Sequence, residues 1–339
     1  MKAAVVRDKR LIVADVPDPA PGPGEVLVKT LACGICGSDL HALKHADRFA
    51  EAYVRADGTR IFDFSRDMVM GHEFCAEIVD YGPKTDRRLP VGTRVCSMPV
   101  LLRGEGRQTI GYSNDHPGGY AEYMRLTESL LLAVPNGLAT EQAALTEPMA
   151  VGVHAVNKAR LVPGDTALVV GCGPVGLAVI AALRVRGVHP IVAADFSPRR
   201  RELAVLLGAD VVVDPKETAL AERWRATTVA FECVGVPGVI DQMMVSAPRG
   251  ARIVVVGVCM EPDTIHPLRG ISKELNLQFV LGYDAEEFAT TLRHIAEGVI
   301  PAAPLVTGTV GVDGVAGAFE ALASPERHAK ILVEPWRRA

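Results

Sequence analysis

Residues 166 to 195 read strand, glycine-rich turn, helix, strand and acid in unbroken succession, an order few folds accept. TALVVG (166–171) is a short apolar run between turn signals, the pattern of a buried parallel strand. GCGPVG (171–176) matches G-x-G-x-x-G and opens the helical PVGLAVIAALRVRG; HPIVAAD follows as a strand and ends on Asp195. In that context Gly171 permits the tight turn, Gly173 lets the backbone approach a pyrophosphate, and Gly176 allows helix to pack closely on strand. Pro174, which has no N–H of its own, opens the helix, and the free N–H groups from Val175 onward and the positive dipole end face the phosphates.

Asp195 stands 19 residues after Gly176, where a carboxylate accepts hydrogen bonds from adenosine ribose hydroxyls and repels a 2′-phosphate. The expected cofactor is therefore NAD. Arg199 and Arg200 pull the other way, because guanidinium suits phosphate. The plainer alternative is that the glycines only serve a turn and Asp195 caps the next helix. Strand, fingerprint, helix, strand and acid in register favour the dinucleotide.

The texture continues beyond this unit. SPRRRELAVLLG reads as helix and ADVVVD as strand; TVAFECVG and ARIVVVGV are strands around the helical VPGVIDQMMVSAP, and LQFVLGY closes the series near 283. Alternating strands and helices mean a doubly wound parallel sheet of Rossmann type. EQAALTEPMAVGVHAVNKAR (141–160) reads as one helix, EEFATTLRHIAEG as another, and AKILVEP as a terminal strand. The first 150 residues are different: EVLVKTLACG, CAEIVDYG and RLPVGTRVCSM are β-branched and broken by Gly and Pro. Residues 42–67 are more polar and less patterned, a loop or short helices.

A chain of 339 residues suits two domains and can bury a core without a metal or disulfide staple. The net charge of −4 comes with no basic stripe, which argues against nucleic acid or an anionic membrane as partner. Arg199-Arg200-Arg201 reads as a solvated helix start. The seven cysteines are odd in number and scattered in apolar context, so free thiols in a reducing compartment are expected. MKAAVVRDKR lacks the apolar region of a signal peptide, and no apolar run reaches membrane-spanning length, so the expectation is a cytoplasmic protein.

LACGICGSDLH (31–41) raises three possibilities for its C-x-x-C. Half a structural zinc site needs a second ligand pair, and none exists. A redox dithiol belongs in a thioredoxin-like unit, whereas this segment is β-rich. The third takes Cys36 alone, with His72 and Glu73 of GHEF and Glu147 of TEP. One cysteine, one histidine and a carboxylate make a catalytic zinc set with a position left for water or substrate.

At these residues the chain resembles the zinc-dependent medium-chain alcohol and polyol dehydrogenases. The resemblance covers nearly the whole chain and rests on GEVLVK (24–29), GICGSDLH (34–41), GHEF (71–74), VGTRV (91–95), GGYAEY (118–123), TEPMAVGVHAV (146–156), GCGPVG, FECVG (231–235) and AKILV (329–333). It implies an α/β protein with a GroES-like β-barrel catalytic domain over residues 1–150, completed by 284–339, and a Rossmann domain over 151–283, with the active site in the cleft. It implies that Cys36 and His72 bind catalytic zinc, that Glu73 is a third ligand or a carboxylate close behind the ligands, and that Glu147 ligates directly or through water, the two carboxylates being able to exchange. Asp39 orients the His72 ring. Cys33 is a small buried residue outside the ligand set.

The implied reaction moves hydride between an alcohol carbon and the nicotinamide while zinc polarises the substrate oxygen. Ser38 takes the substrate proton and passes it through the nicotinamide ribose hydroxyls to His41, which titrates near neutral pH. The plainer alternative for the pair is a capping hydroxyl and a surface imidazole. Arg200, Cys233 and Lys330 are assigned to the cofactor, Lys330 being equally readable as a surface lysine.

Two features depart from the family. The interval between VGTRV and GGYAEY holds Cys96 and no other cysteine, so a second, four-cysteine zinc site is impossible and one zinc per chain is expected. The gap from Cys36 to His72 is longer than in similar sequences, and its extra stretch carries Phe49, Tyr53, Phe62 and Phe64, which either line a substrate pocket or pack the insertion. Glu147 leans the substrate toward a polyol or other secondary alcohol. The family forms dimers or tetramers, and the LQFVLGY strand can pair across an axis. A zinc-free NAD(P)H reductase of the same fold and a non-catalytic NAD(H)-binding regulator are the competing classes.

Overall fold

The computed structural model describes all residues except 53, 55–62, 105, 219–221, 223, 225–226, 325 and 338–339, so Tyr53 and Phe62 lie outside the described residues. The chain forms two compact units. One holds Met1–Glu147, Val306–Ser324 and the residues from Lys330 onward; the other holds Pro148–Leu305 and the stretch ending at Ala329.

The first unit contains β1 (Lys2–Arg7), β2 (Arg10–Asp15), β3 (Glu25–Gly34), α1 (Gly37–Lys44), α2 (Ala46–Ala52), β4 (Met68–Val69), β5 (Glu73–Tyr81), β6 (Arg94–Ser97), β7 (Val100–Arg103), β8 (Gly106–Thr109), β9 (Tyr123–Thr127), β10 (Leu131–Ala133) and α3 (Thr140–Ala144). A second pass of the chain adds β17 (Val306–Val310), α10 (Val315–Leu322) and β18 (Lys330–Val333). Seven strands form its main sheet, in the order β10-β6-β5-β3-β18-β17 with β9 also on β3. EVLVKTLACG makes that central strand because its β-branched alternation buries Val26, Val28, Ala32 and Cys33. β3 meets β5 along most of its length, β9 at its start and β18 at its end. The interval with the lone Cys96 folds into the β7–β8 hairpin, held by Arg103 Nε to Glu25 Oε1 at 2.6 Å and Leu102 N to Thr127 Oγ1 at 2.9 Å. Cys96 itself is buried and donates to Ala143 O.

The second unit is built on six parallel strands: β11 (Ala167–Val170), β12 (Ile191–Ala194), β13 (Val211–Val213), β14 (Val229–Glu232), β15 (Arg252–Val255) and β16 (Asn276–Phe279). Their order β13-β12-β11-β14-β15-β16 is that of a doubly wound nucleotide-binding sheet. The strands are short, continuous apolar runs because parallel sheets are covered on both faces. The associated helices are α4 (Thr146–Lys158), which begins in the first unit, then α5 (Pro174–Val185), α6 (Pro198–Leu207), α7 (Val239–Ser246), α8 (Pro267–Lys273) and α9 (Ala285–Ala296).

Two boundaries differ from the sequence reading. Residues 141–160 form two helices, α3 and α4, because Leu145 ends the first and the Thr146 hydroxyl bonds back to Ala143 O at 2.7 Å. The return to the first unit falls at Val306 and not at 284. α9 stays with the nucleotide unit because Glu287 accepts from Asn157 Nδ2 and pairs with His154 Nδ1, both at 2.7 Å, while Phe288, Leu292 and Ile295 are buried.

Candidate active site

Cys36 stands at the N-cap of α1, just past the end of β3, and its backbone N–H donates to Asp39 Oδ2 at 3.1 Å. C-G-S-D thus folds as a capping turn that sets the thiol at the N-terminal end of the helix. His72 and Glu73 lie at the start of β5, antiparallel to β3, with Glu73 directly opposite Gly34. A side chain at Gly34 would collide with the Glu73 carboxylate, which explains why the turn between the two cysteines is glycine.

The donor atoms of Cys36, His72 and Glu73 lie within 4.8 Å of one another, the one such metal-capable group among the described residues. Thiolate, imidazole and carboxylate are the donor types zinc takes, so the three fit the metal. The His72 ring presents Nδ1 to Asp39 Oδ1 at 3.4 Å, an ion-pair distance rather than a well-aligned hydrogen bond, which leaves the other nitrogen for a ligand. Burial opposes a charge on His72, yet Asp39 and Cys36 outweigh it and raise its pKa well above the ordinary value. Glu147 sits in the first turn of α4, outside the three-residue group.

Asp39 is fully buried and collects four donors or near-donors: Cys36 N, Tyr112 Oη at 2.8 Å, Tyr120 Oη at 2.6 Å, and His72. Burial alone would raise its carboxyl, but His72 and the two phenols bring it below the ordinary value. Neither tyrosine was identified by sequence reasoning, because GYSNDHPGGY carries no spacing that points to a site. Ser38 and His41 share a face of α1 at i, i+3. Ser38 Oγ meets Tyr112 Oη at 2.9 Å. His41 has its pKa lowered by burial and by the positive charge of His45 and Lys44.

Lys330 is a correction. The sequence reading assigned it to the cofactor or the surface; its ammonium is instead buried against Glu73, 2.7 Å from both carboxylate oxygens, and donates to Ile35 O at 3.0 Å. Those three bonds use all three of its donors. Burial works against its charge, but Glu73 and Cys36 more than compensate and raise the pKa. Cys33 is fully buried, with its thiol pushed well up by burial. Phe49 and Phe64 are buried and pack edge-on at 6.5 Å.

In the nucleotide unit Gly171 closes β11, Gly173 is the N-cap of α5, and Pro174 and Val175 open the helix. A side chain at Gly176 would strike Gly171 O, and Cys233 backs the same turn. Asp195 follows β12 and spans two segments: Oδ2 accepts from Cys172 N and Oδ1 from Ser197 N. Ser197 caps α6, accepting from Arg200 N. Arg200 lies 3.9 Å from Asp195, beside the open face of Gly173, and its buried Nε has no hydrogen-bond partner. Glycine cradle, helix N-terminus and an unpaired guanidinium nitrogen fit a dinucleotide.

Residues 22–136 match the alcohol dehydrogenase GroES-like domain and residues 174–297 the zinc-binding dehydrogenase family. (R,R)-butanediol dehydrogenase of Bacillus subtilis is 35% identical over 354 residues, covering 99% of this chain and all of that protein. This chain belongs to the zinc-binding medium-chain dehydrogenase family. The crystal structure of 2R,3R-butanediol dehydrogenase from Bacillus subtilis superposes with a TM-score of 0.84 at 34% identity, covering 98% of this chain and 99% of that one. An alcohol dehydrogenase from E. coli CFT073 complexed with the cofactor NADH gives a TM-score of 0.84 at 25% identity, over 98% and 99% of the two chains. As a member of this family the chain is an enzyme, a zinc-dependent, NAD-linked dehydrogenase of secondary alcohols or polyols.

Proposed function

We propose that the enzyme oxidises a small diol with neighbouring hydroxyls, the class to which butanediol belongs, to the hydroxyketone, and runs the reverse reduction. The convergence of Cys36, His72 and Glu73 on one point carries the zinc-dependent chemistry, since a zinc-free reductase or a bare NAD-binding regulator has no use for it, and the likeness to (R,R)-butanediol dehydrogenase supports the diol. One zinc per chain is held by Cys36 and His72, with Glu73 or Glu147 as the carboxylate donor. Zinc held there would supply Lewis-acid polarisation of the substrate hydroxyl, and NAD held by the glycine turn would supply the hydride acceptor. The protein's own groups do the rest. Ser38 takes the hydroxyl proton, and His41, three residues along the same helix, releases it to solvent. Asp39 keeps the His72 ring in orientation.

The glycine turn, Asp195 and Arg200 hold NAD. A second copy of this chain covers the β16 edge, where Leu281, Leu268, Ile271 and Phe279 stand 79%, 73%, 72% and 62% exposed. All seven cysteines are free, which fits a reducing cytoplasm.

The test is elemental analysis combined with NADH absorbance over a panel of diols, polyols and simple secondary alcohols. The expected result is one zinc per chain and highest kcat/KM on a vicinal diol. Cys36→Ser should lose both zinc and turnover while still binding NADH. Turnover by zinc-free protein, or two zincs per chain, would overturn the reading.

A further inference from the structure

The proton position on Ser38 is decided by a residue outside the family motifs. Tyr112 Oη lies 2.8 Å from Asp39 Oδ1 and 2.9 Å from Ser38 Oγ. A phenol has one proton to give. The Tyr112 hydroxyl donates it to Asp39 Oδ1. The Tyr112 oxygen is then left as an acceptor, and Ser38 must be the donor in its bond to Tyr112. Both lone pairs of Ser38 are thereby turned away from Tyr112 and free to receive a proton. The Tyr112 ring is held from two sides, by His72 and by Phe49 of α2, each with ring centroids 5.3 Å away. Phe49 is itself 4% exposed, so the clamp is part of the packed interior.

We infer that Tyr112 is a positioning residue that fixes the Ser38 hydroxyl as the acceptor for the substrate proton. This rests on the proton-relay role proposed for Ser38. It also gives the insertion between Cys36 and His72 a function, because that segment supplies the buried Phe49 that backs the tyrosine. In turnover, Ser38 gains the substrate proton while its own proton turns from Tyr112 and passes through the nicotinamide ribose hydroxyls to His41 and solvent, so its 2.9 Å bond to Tyr112 is broken and remade in each cycle and Tyr112 keeps its proton directed at Asp39 throughout.

Tyr112→Phe, Ser38→Ala and the double variant form the test, each loaded with zinc. Tyr112→Phe keeps the ring contacts and removes only the hydroxyl. Its kcat for alcohol oxidation is expected to fall about tenfold, the worth of one orienting hydrogen bond, with an altered solvent deuterium effect. KM, NADH affinity, melting temperature and resistance of the zinc to chelators should stay near wild type. In the Ser38→Ala background the same substitution should cost less than about twofold, because coupled residues are not additive. An undiminished loss in that background, wild-type kcat in Tyr112→Phe, or loss of zinc from it would overturn the inference, the last by showing that the phenol acts through Asp39 and the metal. Wild-type turnover by Ser38→Ala would instead overturn the relay itself.

Discussion

Asp195 ties the glycine turn to the start of α6, accepting from Cys172 N and Ser197 N with its two carboxylate oxygens, and the proposal gives the same carboxylate the adenosine ribose. Asp195→Ser removes the charge that disfavours a 2′-phosphate and leaves the unpartnered Nε of Arg200 beside it. The expected outcome is kcat/KM with NAD lower by roughly tenfold or more, the loss of a hydrogen bond to a charged group, and a rise with NADP. An unchanged ratio of the two constants would show that the arginines set the preference. At this scale the grouping of Cys36, His72 and Glu73, whose donor atoms lie within 4.8 Å of one another, could be anticipated because each sits in a recognisable motif. Tyr112 and Tyr120 were not, since they reach Asp39 only through tertiary packing across more than 70 residues. Lys330, read as a cofactor contact or a surface lysine, is instead buried on Glu73, a pairing that is not visible until β18 is seen in the middle of a sheet.

Among the elements, the parallel strands were readable as apolar runs and β16 was correctly the last of its series. The β7–β8 hairpin and β17 were not, because GRQT and VTGTV carry few of the large apolar residues that mark a buried strand. The single helix expected over 141–160 breaks at a local hydroxyl bond that periodicity does not register. β15 shows what holds such elements together. Arg252, on that strand, pairs with Asp165 just before β11, and Asp165 also accepts from Thr228 Oγ1 at 2.6 Å and Val162 N at 2.7 Å. Burial raises the Asp165 carboxyl, but Arg252, Thr228 and Val162 together bring it below the ordinary value. A carboxyl depressed on folding stabilises the protein above its unfolded pKa of about 3.9 and loses that contribution as pH falls through the lower folded value. Asp165→Asn should therefore unfold more readily at pH 7 and show a shallower loss of melting temperature between about pH 5 and 2 than wild type. Equal acid slopes for the two proteins would remove Asp165 from the account.

For the whole molecule the prediction concerns its partner. β16 ends the six-stranded sheet with no neighbour among the described residues, and the apolar side chains of α8 and the segment after β16 stand open. An unprotected apolar edge invites a second strand. Sedimentation should give a dimer or a dimer of dimers, and Leu281→Asp combined with Ile271→Lys should yield monomer with zinc content unchanged. Wild-type protein sedimenting as monomer would overturn this. The two-unit division was legible from the change of texture near 150. The point of return at Val306 was not, because α9 is amphipathic and its sequence alone does not say which unit its buried face covers.

The pairing of Lys330 with Glu73 spans 257 positions of chain. At a synthesis rate of about 5–20 residues per second, that separation lasts roughly 10 to 50 s on the ribosome. Throughout this interval the nascent chain holds Cys36, His72 and the Glu73 carboxylate but lacks the cation that balances them, and β3 lacks its β18 neighbour. The nucleotide unit, whose six strands all lie between these two points, emerges before the first unit can close. Closure of the Lys330–Glu73 pair is thus a late event, timed by the emergence of one lysine after most of the protein has been made.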